Sequence, residues 1–192
     1  MPDILQIAIG ASALALLFAF AKYSAIMKRS AGSEKMQEIS KAIQDGAAAF
    51  LRAEYKWLAI FVVIVAAAIA LSSPENGLGP KTAIAFVAGA VASGLAGYFG
   101  MHTATRSAVR TTQGARTSLT EGLSVAFSSG VVMGMSVVGL ALLGVVGFTV
   151  AYASDFDVAS LNHVLGLSFG ASSIALFSRV GGGIFTDRKS TR

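Results

Sequence analysis

The sequence predicts an all-α integral membrane protein, from three observations: an apolar composition, long uncharged runs, and a one-sided distribution of basic residues. Of the 192 residues, 54% are hydrophobic and 13% are charged, and the mean hydropathy is +0.68. These values are too apolar for an ordinary soluble domain. Helices are the expected state because an isolated strand leaves its backbone groups unpaired in lipid, and no barrel-like alternation is visible. The absence of cysteine excludes a disulfide framework and a thiolate metal site.

Five segments are long and apolar enough to cross a hydrocarbon core, which takes about 20 helical residues. They are residues 4–26, 57–71, 82–101, 124–151 and 161–185. The first differs from a signal peptide because its basic residues follow the apolar run, so we expect it to be retained.

The second segment is short and is predicted to be the end of one helix over residues 34–71, which extends beyond the membrane into the cytoplasm, with Ser33 as its N-cap. Apolar residues recur along it at helical spacing, at Met36, Ile39, Ile43, Ala47, Phe50 and Leu58. An amphipathic helix lying on the lipid headgroups is the alternative for its polar part.

The basic residues predict the orientation. Fourteen of the fifteen Lys and Arg residues fall in segments 22–56, 102–121 and 179–192, and only Lys81 lies in the opposite connections. By the positive-inside rule, the N-terminus lies outside and the C-terminal end lies in the cytoplasm. Topology therefore explains the net charge of +5, and no nucleic-acid partner is expected, since no groove-reading or stacking element accompanies it.

Small residues are frequent in the later spans. Gly130 with Gly134, and Gly166 with Gly170, have the spacing that lets helix backbones approach closely, so tight helix packing is expected there. Serines in the same spans either pack between helices or line an ion path; they are Ser128, Ser129, Ser136, Ser168, Ser172, Ser173 and Ser178.

The segment between the third and fourth spans combines basic and capping residues. Ser118 and Glu121 are predicted to form a capping box at the start of the fourth helix. The basic run 105–116 either attracts a phosphate-bearing ligand or anionic lipid, or is a solvated loop on the positive side. His102 lies at the membrane edge with no second residue at metal-ligand spacing, which indicates an interfacial histidine. No nucleophile triad, phosphate-loop lysine or zinc spacing is present in the sequence.

Arg179 is the candidate binding residue. It stands in an otherwise uncharged segment, and an arginine close to lipid is costly unless it faces a wet or paired site. The three glycines 181–183 follow it and leave room where a ligand or another backbone could approach. A guanidinium suits a phosphate oxyanion; the alternative is a side chain that reaches back to the membrane interface.

Three stretches together resemble the membrane-bound pyrophosphatases, which are ion pumps driven by pyrophosphate hydrolysis. They are KMQEISKAIQDGAAAFLRAEY, RTTQGARTSLTEGLSVAFSSGVVMG and GLSFGASSIALFSRVGGGIFT, in the family's order over about residues 36–186. The resemblance implies the N-terminal part of a homodimeric translocase of about sixteen helices in the cell membrane, in which magnesium neutralises the pyrophosphate. Such a pump moves protons or sodium ions outward across the lipid bilayer, in some members with potassium, and the second stretch resembles the potassium-dependent, sodium-pumping members. By position, Arg179 would contact pyrophosphate.

The chain departs from the family after Thr186. In the family, SRVGGGIFT leads into a lysine and an aspartate-rich run that hold pyrophosphate and magnesium, whereas residues 187–192 here read DRKSTR. We therefore expect no catalytic and no metal-binding residue of the family in this chain, and no buried acidic residue for an ion gate. Because magnesium needs carboxylate ligands, we predict that the chain alone neither hydrolyses pyrophosphate nor pumps ions. The tail DRKSTR can be encoded by the start of a common sequencing-library adapter, so we expect residues 187–192 not to be natural protein.

Two other classes of protein remain open from the sequence. One is a short non-enzymatic membrane scaffold or subunit that packs against partner helices. The other is a small transporter with a site between its five spans, which predicts repeated halves with broken helices, and no internal repeat is visible.

Overall fold

The computed structural model describes residues 2–72, 78–152 and 158–190, with side chains over 3–72, 78–152 and 164–183. Five α-helices follow one another in this part of the chain: α1 (Pro2–Met27), α2 (Glu34–Ala70), α3 (Pro80–Thr117), α4 (Leu119–Tyr152) and α5 (Val158–Ser190). Each is long and apolar enough to cross a membrane. The predicted all-α, multi-pass membrane architecture is confirmed.

The helix boundaries agree with the predicted spans except at α3. Helix α2 begins at Glu34, and the Gln37 N–H donates to the Ser33 carbonyl at 3.0 Å, which places Ser33 at the predicted N-cap. Helix α3 does not end at the membrane edge but continues to Thr117, so the prediction of a loop over 105–116 is wrong. The run contains no proline and only Gly114, and nothing in it stops a helix. The segment 73–80, whose glycine and proline residues are typical of a tight turn, lies mostly outside the described residues.

The contacts divide the chain into two units, of which the first comprises Met1–Leu51 and Tyr98–Leu140. Its core joins α1 to α4, with Ile26, Val125 and Val132 buried together. Backbones come close where α4 carries Gly139, since an added Cβ would lie 3.2 Å from the Ser12 carbonyl oxygen of α1. A small residue at this crossing lets the two helices pack at short distance.

The junction between α3 and α4 shows half of the predicted capping box. The Glu121 N–H donates to Ser118 Oγ at 3.1 Å, which satisfies a free amide at the start of α4. In a complete capping box, the Ser118 N–H would also donate to the Glu121 carboxylate. Here the Glu121 carboxylate pairs with the Arg29 guanidinium, and the Ser118 N–H donates to the Gly114 carbonyl. Glu121 therefore ties the start of α4 to the segment after α1, a role that local spacing does not reveal.

The second unit comprises Arg52–Gly97 and Ala141–Arg192. Its core joins three helices through Leu58 of α2, Ala90 of α3 and Ile174 of α5. Aromatic side chains extend this core, with ring centroids 4.8 Å apart for Phe61 and Phe177. The buried contacts of Leu58, Ala90 and Ile174 fix how α2, α3 and α5 face one another.

The two predicted glycine pairs behave differently. Gly166 and Gly170 lie against the α3 backbone, where an added Cβ would be 2.6 Å from the Thr82 carbonyl oxygen and would overlap the Phe86 carbonyl, respectively. Close packing is therefore confirmed for this pair. Gly130 and Gly134 have nothing within 4 Å of an added Cβ among the described residues, so the described chain does not show the expected close packing there.

Candidate functional site

Arg179 lies on α5 in the second unit, and its side chain is exposed. It forms no hydrogen bond or ion pair with the residues that the structure describes. An added Cβ at Gly182 or Gly183 would meet no described atom within 4 Å. The guanidinium thus stands beside space that the described chain leaves open, as a binding residue requires.

Glu54 is the second charged residue of interest, and it was not expected. It lies on α2 and is half-buried, but its Oε1 is fully shielded from solvent and has no hydrogen-bond partner among the described residues. The Ser178 side chain of α5 lies beside the same carboxyl group. Glu54 as a whole is thus not a buried acidic residue, but one oxygen of its carboxyl group is shielded.

A sequence signal for Glu54 was present in the apolar stripe of α2. The stripe includes Phe50 and Leu58, and the position midway between them, four residues from each, is Glu54. Residues four apart share one helix face. A carboxylate at a position of an apolar stripe marks a side chain that faces the helix bundle.

Glu54 and Arg179 do not form an ion pair, although Ser178 immediately precedes Arg179. Consecutive helical residues point about 100° apart because the helix has about 3.6 residues per turn. The structure brings Ser178 against α2 and leaves Arg179 exposed. The two charges belong to neighbouring but different faces of α5.

The basic run at the end of α3 is held by contacts within the first unit. Arg110 donates to the carbonyl oxygens of Met27 at 3.4 Å and Arg29 at 3.2 Å. A guanidinium in this position satisfies free carbonyls at the C-terminal end of α1. Arg116 donates to Met36 Sδ of α2 at 3.8 Å. Two arginines of the run thus contact other parts of the chain, in addition to any contact with an anion.

His102 is bonded through both ring nitrogens. Its Nδ1 lies 3.0 Å from the Arg106 guanidinium and its Nε2 lies 3.3 Å from the Tyr23 hydroxyl. Because a guanidinium only donates, Nδ1 accepts, and the ring proton of the neutral form sits on Nε2. This agrees with an interfacial histidine. Among the described residues, no three His, Cys, Asp or Glu side chains cluster as a metal site requires.

A family model described as inorganic H+ pyrophosphatase matches residues 13–189, which include both Glu54 and Arg179. The chain belongs to this family. It is 49% identical over 176 residues to a putative K(+)-stimulated pyrophosphate-energized sodium pump of Clostridium tetani, covering 92% of this chain and 25% of that protein. It is 42% identical to a K(+)-insensitive pyrophosphate-energized proton pump 2 of Moorella thermoacetica, covering 90% of this chain and 25% of that protein.

A K(+)-insensitive pyrophosphate-energized proton pump of Methanosarcina mazei is 40% identical, over 92% of this chain and 25% of that protein. The chain therefore spans about a quarter of the length of the curated relatives that it matches. The resemblance predicted from the three sequence stretches is confirmed as family membership.

Proposed function

We propose that this chain is the N-terminal quarter of a pyrophosphate-energised ion pump. The whole pump is a membrane-bound inorganic pyrophosphatase that hydrolyses pyrophosphate to phosphate and moves protons or sodium ions outward. The family match over residues 13–189 carries this proposal, and the five apolar helices support it. The whole pump is proposed to work as a homodimer, as the family resemblance implies.

The orientation follows from the charges, with the N-terminus outside and the ends of α3 and α5 in the cytoplasm. The natural lack of cysteine makes this directly testable. Leu78→Cys and Asp45→Cys each introduce one thiol at an exposed position on opposite sides. In intact cells, a membrane-impermeant maleimide is expected to label L78C and not D45C. After permeabilisation, it is expected to label D45C as well. The reverse pattern would show that the orientation is inverted.

Arg179 is proposed to contact pyrophosphate. Its exposure and the open space beside Gly182 and Gly183 support this, as does the match between a guanidinium fork and phosphate oxygens. In the full-length pump, Arg179→Lys keeps the charge but loses the fork, so the KM for pyrophosphate is expected to rise about tenfold or more. Arg52→Lys, at an exposed position of α2, is the matched control and is expected to leave KM unchanged.

The same variant separates substrate binding from ion transport. Hydrolysis and ion movement are measured together in vesicles that contain the pump. A loss of transport with an unchanged KM would contradict the pyrophosphate role and would instead place Arg179 on the ion path.

Magnesium is the metal that the pump is proposed to use, because a hard cation neutralises the phosphates and takes oxygen ligands. The described residues do not fit such a site, since they hold no group of three metal-ligating side chains. The magnesium ligands are therefore expected on other parts of the pump. Any potassium site is expected there as well.

This placement predicts that the chain alone does not hydrolyse pyrophosphate. The chain is reconstituted in liposomes with magnesium and pyrophosphate, and phosphate release is compared with protein-free liposomes and with a full-length pump. No release above the protein-free level is expected. Magnesium-dependent release by the purified chain would contradict both the placement of the metal ligands and the description of the chain as an inactive part.

A further inference from the structure

We propose that Glu54 and Ser178 form a binding site for a monovalent metal cation between α2 and α5. A role of this site in ion transport rests on the proposed function. Cation binding by the site is tested separately and does not need that function.

The neighbours of Glu54 show that its side chain is directed at α5. Leu58, four residues later, packs in one buried cluster with Ile174 of α5, and the Phe61 ring contacts the Phe177 ring at a tilt of 60°. The Glu54–Ser178 contact lies one helical turn beyond the Leu58–Ile174 contact on both helices. Helices α2 and α5 therefore run antiparallel here. The Glu54 carboxyl group lies in their interface, one turn from the apolar contact between Leu58 and Ile174.

The rotation of α2 is fixed from the other side. The Tyr55 hydroxyl donates to the Gly94 carbonyl of α3 at 2.6 Å. Because Tyr55 is the residue next to Glu54, this bond prevents α2 from turning Glu54 away from α5. The carboxyl group is thus held in place by the fold.

The shielded oxygen is the observation that calls for a ligand. Glu54 Oε1 is fully buried and has no partner among the described residues. A carboxylate oxygen removed from water is costly unless a donor or a cation satisfies it. No ion pair of Glu54 is found among the described residues. Arg52 and Lys56, which flank it on α2, are exposed, as is Arg179 on α5.

The donor set selects the class of ligand. A carboxylate and a hydroxyl oxygen are hard ligands that suit cations such as Na⁺ or K⁺. One carboxylate neutralises one positive charge, whereas divalent cations require several carboxylates. Gly182 lies one turn after Ser178 on the same face of α5, and an added Cβ there would meet no described atom within 4 Å. That space allows water to complete the coordination.

The test measures cation binding by the chain itself, in lipid nanodiscs at constant pH. Sodium or potassium chloride is exchanged for choline chloride, and difference infrared spectroscopy follows the carboxyl bands. We expect a change that saturates with one of the two cations and disappears in Glu54→Gln. Ser178→Ala is expected to weaken the apparent affinity about tenfold, as the loss of one charge-assisted contact does. Glu38→Gln, on the exposed part of α2, is the matched control and is expected to keep the change.

Each outcome decides the proposal. Saturation with sodium or with potassium identifies which cation the site takes. A wild-type chain without a cation-dependent carboxyl change overturns the inference whatever the variants do, and so does a change that persists in E54Q. A change that appears only when the pH is altered would show a proton-carrying carboxyl group and would also overturn it. None of these results depends on pyrophosphate hydrolysis, so the proposed function stands or falls separately.

Discussion

Gly170→Ala tests whether the contact between α3 and α5 is as close as the structure shows. The added methyl group would lie 2.8 Å from the Phe86 carbonyl carbon and 3.0 Å from the Ala90 nitrogen, whereas ordinary contact begins near 3.4 Å. The atoms that it meets are backbone and cannot rotate away. The two helices must therefore separate to accept the methyl group.

The expected cost follows from that separation. A gap of about 0.5–1 Å removes a quarter to a half of the dispersion energy of each atom pair across it. For about twenty such pairs at about 0.15 kcal/mol each, the loss is about 1 kcal/mol. Strain in the helices adds to it, and overpacked cores lose about 1–3 kcal/mol in all. We therefore expect Gly170→Ala to destabilise the packing of the second unit by about 2 kcal/mol.

A single thiol reports this packing. Ala90 is 5% exposed and lies in the core with Leu58 and Ile174, so Ala90→Cys reacts with a maleimide only when the helices open. In dodecylmaltoside, Gly170→Ala in this background is expected to speed labelling by about 30-fold, since each 1.4 kcal/mol is a factor of ten. Gly134→Ala is the matched control, because its added Cβ meets no described atom within 4 Å, and labelling is expected to stay unchanged.

Equal labelling rates for the Gly170→Ala variant and its parent would refute the close approach of α3 and α5. An equal acceleration by Gly134→Ala would show that the effect belongs to glycine replacement in general. Either result would remove the support of this assay for a close approach at Gly170.

Two further predictions concern polar contacts. Tyr55→Phe removes the hydroxyl donor to the Gly94 carbonyl and is expected to cost about 1 kcal/mol, measured by the same thiol assay; an unchanged rate would contradict the bond. Reversing the charge of Arg29 or of Glu121 alone is expected to weaken the first unit, and reversing both to restore it, with a coupling below about 1 kcal/mol because the side chains are 38% and 49% exposed. A double-mutant cycle by chemical denaturation measures this coupling, which should fall at high salt; a coupling that salt does not change would contradict an exposed ion pair.

Much of the helical architecture was predictable because it depends on local composition. Each of the five apolar runs lies within a helix, and α2 begins at Glu34 as its N-cap predicts. The error at α3 had a physical cause as well: basic residues were read as a loop, although arginine is a good helix former and nothing in the run breaks a helix.

The candidate site was predictable only in part. Arg179 could be identified from an isolated charge in an apolar segment, and its role remains a prediction. Glu54 was missed although it interrupts the apolar stripe of α2 between Phe50 and Leu58. A glutamate near the membrane edge is easily taken for a solvated one until the facing helix is known. Its burial depends on α5, which lies more than one hundred residues away along the chain.

The sequence by itself determined the membrane-spanning helices and the family, because lipid requires each span to satisfy its own backbone and to be apolar along its length. Only the tertiary structure decided which small and polar residues meet. Gly166 with Gly170 contacts another backbone, while Gly130 with Gly134 meets none among the described residues, despite identical spacing. The same holds for Glu54 and Ser178, whose contact is set by the rotation and register of two helices. Helix formation is a local property of the chain, whereas the choice of facing side chains is made by the partner helix.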